Sequence, residues 1–278
     1  MAIPPPYRRI AVASAFSPRF EQVLAEAKRV RDRLGSELHL IYVGERDEKT
    51  DRRFGTALAE LHLPGDSTIH YHQGAPADAI LEATNANDVE LIVAGALEKE
   101  VVLRPFLGNV ARRLVREATC SVFLFTKPDR TPQPLRRIVF YVPEYSEEVR
   151  QAFAKALRLA EQEGCENLYV IRVYTSFDAA RATLRAHADD PADQPEARTL
   201  EQEEEALEAF IDSCGDTAIP IEGRCIRGNT GFAASDFVQA VEANLLVVPV
   251  ERKCEPGELP AHIAWVTDVI PCNLWIIR

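Results

Sequence analysis

The chain repeats itself, and that limits its fold more than any other feature. Arg8-Arg9-Ile10-Ala-Val-Ala13 follows a proline-rich lead, and Arg136-Arg137-Ile138-Val-Phe-Tyr141 follows another, Lys127–Pro134. Each opening precedes a long amphipathic stretch and then a similar apolar run, Leu38–Val43 in one half and Leu168–Val173 in the other. Val89–Ala94 answers to Asn244–Pro249, and Cys120–Phe125 to Cys272–Ile277. The pairings keep one order, which points to two tandem copies of a single domain, 1–130 and 131–278.

Each copy alternates strands with helices. In the first, nearly continuous apolar runs lie near 9–14, 37–43, 67–72, 89–95 and 120–126, as expected of parallel strands buried on both faces. Phe20, Val23, Leu24, Ala27, Val30 and Leu34 recur at helical spacing and stop before Gly35. Phe54, Leu58 and Leu61 mark a second helix, Ala79, Ile80 and Ala83 a third, and Val110, Leu114 and Val115 a fourth. This order predicts an α/β fold with two tandem Rossmann-like, doubly wound domains, each a five-stranded parallel sheet. The second copy adds a polar insertion, about Ala186 to Arg198, which reads as a surface loop. A helix follows, with Leu200, Leu207, Phe210, Ile211 and Cys214 as its core stripe and the Glu201–Glu205 run as a solvated face.

Composition excludes several roles. The 278 residues carry 43 acidic and 32 basic side chains, a net charge of −11, which opposes binding to nucleic acid. No apolar run approaches the roughly 20 residues that cross a bilayer, so no membrane insertion is expected. The segment Met1–Arg9 lacks the apolar centre of a signal peptide. The six cysteines are scattered with no Cys-x-x-Cys pair, and Cys120, Cys165 and Cys272 adjoin or begin apolar runs. Buried reduced thiols in a soluble, cytoplasmic protein are the expectation.

The chemistry-bearing pattern lies after the fourth strand of the first copy. Gly95-Ala96-Leu97-Glu98 is followed by nine residues and then by Gly108-Asn109. A glycine at a strand end lets a phosphate approach the backbone, and one opening a helix presents free N–H groups to it. The element order and this spacing resemble the universal stress protein family, whose nucleotide-binding members carry Gly-x2-Gly-x9-Gly-Ser/Thr here. The resemblance spans the chain as the tandem two-domain type. It implies a HUP-like fold and a stress-response role exerted through ligands or protein partners. It also implies a pseudo-dimer of the two domains. The strands Cys120–Phe125 and Cys272–Ile277 are the candidate contact, because the family often pairs through its last strand and pairing covers exposed edges.

Carried over residue by residue, the nucleotide site of the first domain comprises Ala15, Val43, Gly95, Glu98, Arg104, Gly108 and Asn109. Gly95 and Gly108 match the first and third family glycines, and Val43 matches an adenine-side position. Glu98 replaces the second glycine, Asn109 the Ser or Thr, and Ala15 an aspartate that contacts the nucleoside. Arg104, between the glycines, is a candidate anion contact. In the second copy Val247–Val250 runs into Glu251–Gly257 without a glycine pair, and Ala261-His262 stands where Gly108-Asn109 would.

Other candidates carry less. Gly74–Asp78 and Gly228–Gly231 open the third helix of each copy and serve equally as caps or anion sites. His70 and His72 share a strand face near His62, half of a metal site at most, with exposed strand-end histidines as the alternative. Cys254 with His262 lacks an orienting third group, and Asp189-Asp190 fall in the insertion. No catalytic group and no metal site is assigned.

The sequence reading is therefore a regulatory or scaffold protein, not an enzyme, with family-type ATP binding lost or degenerate. Its partners are unidentified proteins, with a homodimer among them. The alternative is an ATP sensor using the first domain alone, and a third reading is slow nucleotide hydrolysis. A crevice at the strand ends also leaves room for an apolar ligand or metabolite.

Overall fold

The computed structural model describes residues 4–14, 19–96, 107–186, 197–215, 217–250, 259–260, 263–267 and 270–278. Its contacts divide the chain into two compact units. The first joins Met1–Pro134 with Val250–Leu259 and Thr267–Arg278, and the second joins Leu135–Pro249 with Pro260–Val266.

In the first unit, β1 (Arg9–Ser14), β2 (Glu37–Val43), β3 (Ile69–His72), β4 (Leu91–Gly95) and β5 (Ser121–Phe125) alternate with α1 (Phe20–Leu34), α2 (Glu48–Glu60), α3 (Pro76–Ala86) and α4 (Asn109–Glu117). The strands lie in the order β3-β2-β1-β4-β5, all parallel. The reversal of order at β1–β4 creates the crevice where ligands of such sheets sit. Helix α1 stops where the sequence reading ends it: Gly35 takes φ +71°, a left-handed conformation that a Cβ would strain.

The second unit repeats the plan with β6 (Arg137–Tyr141), α5 (Glu147–Glu163), β7 (Asn167–Tyr174), α6 (Ser176–Ala186), α7 (Leu200–Asp212), β8 (Ile221–Arg227), α8 (Thr230–Ala240) and β9 (Leu245–Pro249). Its parallel order is β9-β6-β7-β8. Helix α6 is an addition that the sequence reading does not anticipate. Thr199 closes a capping box with Gln202 and so fixes the start of α7.

The last strand, β10 (Asn273–Ile277), closes the second repeat in sequence yet groups with the first unit, antiparallel to β5. Packing explains the pairing. Trp275 is fully buried, stands opposite Phe123 in the ladder and stacks on it with ring centroids 5.5 Å apart. Ser121 Oγ accepts from the backbone N–H of Arg278 at 3.0 Å and pins the strand's end. In each unit the core lies on both faces of the strands, with Ile10, Leu40, Ile92 and Phe123 in one and Ile138, Phe140, Leu168 and Leu246 in the other.

Two expectations are corrected. Glu203, placed on a solvated helix face, is 4% exposed, because Arg172 of β7 reaches α7 beneath it. Cys214 lies beyond the end of α7, whose buried stripe holds Leu207 and Phe210. Cys120, Cys165 and Cys272 are buried and form no disulfide, as expected.

Candidate functional site

Val43, Gly95, Gly108 and Asn109 are the predicted site residues whose places the structure describes. Ala15, Glu98 and Arg104 lie outside the described residues, as do Cys254, His262, Asp189 and Asp190. Val12 pairs with Leu40 on one side and Val93 on the other, so β2 and β4 run level across β1. Their last residues, Val43 and Gly95, therefore reach the same edge of the sheet, on strands about 10 Å apart.

Gly108 comes back to this edge. Its N–H donates to the carbonyl of Ala96 at 2.9 Å, and the Ala96 N–H donates to Phe125 at 2.8 Å. Gly108 is then the N-cap of α4, with extended backbone and no side-chain cap. No acidic residue stands in the first turn and no side chain among the described residues caps it, which leaves the N–H groups after Gly108 and the positive helix end beside exposed Asn109. Gly95 has an ordinary backbone, and among the described residues a Cβ there would meet only Cγ2 of Val23 at 3.4 Å. The described packing does not require glycine at that point. Val43 is half-buried and pairs with His72 in the ladder. These features fit the backbone half of a phosphate cradle.

At the matching place in the second unit, β9 ends in Pro249, which has no N–H to offer. Gly228 and Asn229 do open α8, again without a side-chain cap. Gly74 precedes α3, whose Asp78 binds Arg113 at 2.6 Å rather than capping its own helix.

Sequence reasoning missed two clusters. His39 of β2 meets His70 of β3 with Nδ1 and Nε2 2.9 Å apart and ring centroids 5.1 Å apart. The two nitrogens point at one another, as a shared N–H···N proton requires, rather than converging on a metal ion. Among the described residues no group of three or more His, Cys, Asp or Glu could hold a metal. Burial, with the charge of Arg9 adding to it, lowers the pKa of both rings. His70 is thus a half-buried partner of His39, not an exposed strand-end residue, and the signal was an imidazole on the neighbouring strand.

The second cluster centres on Glu203. Arg172 Nε donates to it at 2.9 Å, Arg198 lies 3.7 Å away, and both guanidinium groups stand near the ring of Tyr145. Arg172 also donates to the carbonyls of Val142 and Pro143. A cavity of about 440 Å³ opens here, in which Arg172, Arg181 and Arg198 face Glu144, Asp178 and Glu203. Three positive groups against three negative ones leave no net charge to select an ion. The visible signal was Arg172 itself, a charge inside an apolar strand run.

This geometry defines a doubly wound α/β protein with a nucleotide-type crevice at the strand ends of its first unit. Residues 46–126 match the profile of the Universal stress protein family. A universal stress protein of Thermus aquaticus is 30% identical over 116 residues, 42% of this chain and 76% of that protein. The chain belongs to the universal stress protein family, which places it among stress-response proteins. A universal stress protein from Archaeoglobus fulgidus shares the fold at 13% identity and TM-score 0.64, over 97% of this chain and 98% of that one. A Pseudomonas aeruginosa protein of unknown function does so at 16% identity and TM-score 0.70, over 98% and 92%. No described helix is long and apolar enough to cross a membrane.

Proposed function

We propose that this protein is a non-catalytic regulatory or scaffold member of its family, built from domain copies 1–130 and 131–278, with the family's ATP grip degenerate. The observation that carries this reading is the pair of strand ends. β4 closes on Gly95 with Gly108 folded back beside it, whereas β9 closes on Pro249, where backbone donation to a phosphate is impossible. In the first copy Glu98 brings a negative charge to the same loop, and Asn109 stands in place of a hydroxyl. Action through protein partners, a homodimer among them, belongs to this reading, and a cytoplasmic location fits Cys120, Cys165 and Cys272, which are buried and form no disulfide.

A second reading is favoured by one observation. Residue 95 is a glycine although the described packing around it leaves room for a side chain, which suits a ligand approaching the backbone. On that reading the first domain alone senses an adenine nucleotide. Calorimetric titration with ATP and Mg²⁺, with Gly108→Val as control, separates the two. No saturable heat, and no nucleotide released from freshly purified protein on denaturation, is the expected result. Saturable micromolar binding lost in Gly108→Val overturns it in favour of the sensor.

A further inference from the structure

The second unit holds a groove of about 1090 Å³ that depends on α6, the helix the first copy lacks. It is lined by Phe177 and Ala182 of α6, Leu200 at the start of α7, and Arg227 and Asn229. The volume is at the upper limit of small-molecule pockets, roughly 300–1,000 Å³.

Two independent features describe what would fill it. The first is apolar. Among the described residues the exposed large hydrophobic side chains are Phe177 at 68%, Leu184 at 63% and Phe232 at 75%. Phe177 lines the groove, Leu184 follows it seven residues on along the same face of α6, and Phe232 lies on α8. Exposed apolar surface along the helix that lines a groove marks a binding surface rather than chance exposure.

The second feature is charge. Arg227 is exposed on the groove's lining, and no carboxylate among the described residues pairs with it. On a protein of net charge −11, Arg227 is thus a positive group on the groove's lining that no described carboxylate offsets.

We propose that this groove binds an amphipathic organic anion, an aliphatic chain ending in a single carboxylate. The chain lies along Phe177, Ala182 and Leu200, and the carboxylate pairs with Arg227. A wholly polar metabolite would leave the aromatic border wet, and a neutral chain would leave Arg227 without a partner. The site is separate from the nucleotide question in the first domain, so either answer to the ATP titration leaves it standing.

Dodecanoate below its micellar concentration, titrated calorimetrically into the full chain, tests the proposal, with dodecyltrimethylammonium as the cationic match. Arg227→Gln removes the head-group partner, and Thr183→Trp fills the groove from an exposed position. Circular dichroism confirms that both variants fold. Dodecanoate should bind saturably, about tenfold more weakly to Arg227→Gln, as loss of a charged hydrogen bond implies. Thr183→Trp should not bind, and neither should the cation bind the parent protein. Absence of saturable dodecanoate binding, equal affinity for the cation, or unchanged affinity in both variants overturns the proposal. So does a concentration-dependent dimer abolished by Thr183→Trp but untouched by dodecanoate, which would make a second copy the occupant.

Discussion

Arg172 of β7 donates from Nε to Oε1 of Glu203 on α7 at 2.9 Å, and at the same point of the first repeat Tyr42 packs edge-on against Phe54 of α2. Leu38–Val43 and Leu168–Val173 align, so Tyr42 and Arg172 are equivalent. One copy joins strand to helix through aromatic rings and the other through an ion pair. The repeat preserved the architecture while its side chains diverged.

Glu203→Gln should therefore be costly. The Arg172 side chain is 20% exposed and Glu203 5%, so the variant leaves a largely desolvated guanidinium without its counter-charge. A loss of about 3 kcal/mol is expected, set against less than about 0.5 kcal/mol for Glu147→Gln in the exposed pair with Arg150. Urea unfolding of both variants, followed by circular dichroism, checks the contrast.

Gly95→Ala should leave stability within about 0.5 kcal/mol of the parent, because among the described residues the new methyl group meets only Val23. Gly35→Ala should cost about 1 kcal/mol, because its φ of +71° strains any Cβ. Matched thermal melts would show whether Gly95 is dispensable to the fold.

The His39–His70 pair makes stability pH-dependent. Both rings have a folded pKa below the ordinary 6.5, so the unfolded chain binds more protons once pH falls under that value. Their contribution is intact above pH 6.5 and is lost progressively as pH falls towards their folded pKa. Asp47, Asp51 and Asp78 are held below the usual carboxylate range by Thr50, Tyr71 and Arg113, so they act only at lower pH. Urea midpoints should drop between pH 7 and pH 5, and His70→Gln should flatten that drop.

The thiols should be sluggish. Burial pushes Cys120 up to about 11 and Cys225 up to about 12, so both stay protonated at pH 8. Iodoacetamide labelling of the native protein, read by mass spectrometry, should modify these two sites slowly and only after denaturation reach the rate of a free thiol.

Much of the fold was legible in the sequence because it is local. Apolar runs gave the strands within one or two residues, and Phe20–Leu34 shows a helix that Gly35 ends. The glycine pair was legible as well, since spacing alone brings Gly95 to a strand end and Gly108 to a helix start. Glu203 was not, because its burial depends on Arg172, thirty-one positions away, and a helical run of glutamates looks solvated until its partner strand is known.

By itself the sequence determined the repeat, the alternation of strands and helices and the positions where helices stop. Periodicity and backbone preference act over a few residues and are written in the chain. Tertiary structure alone decided that His39 meets His70 and that α6 opens a groove with an apolar border. Those outcomes depend on register and on which surfaces meet. The burial of Trp275 against Phe123 is won only when distant segments come together, and no local pattern encodes it.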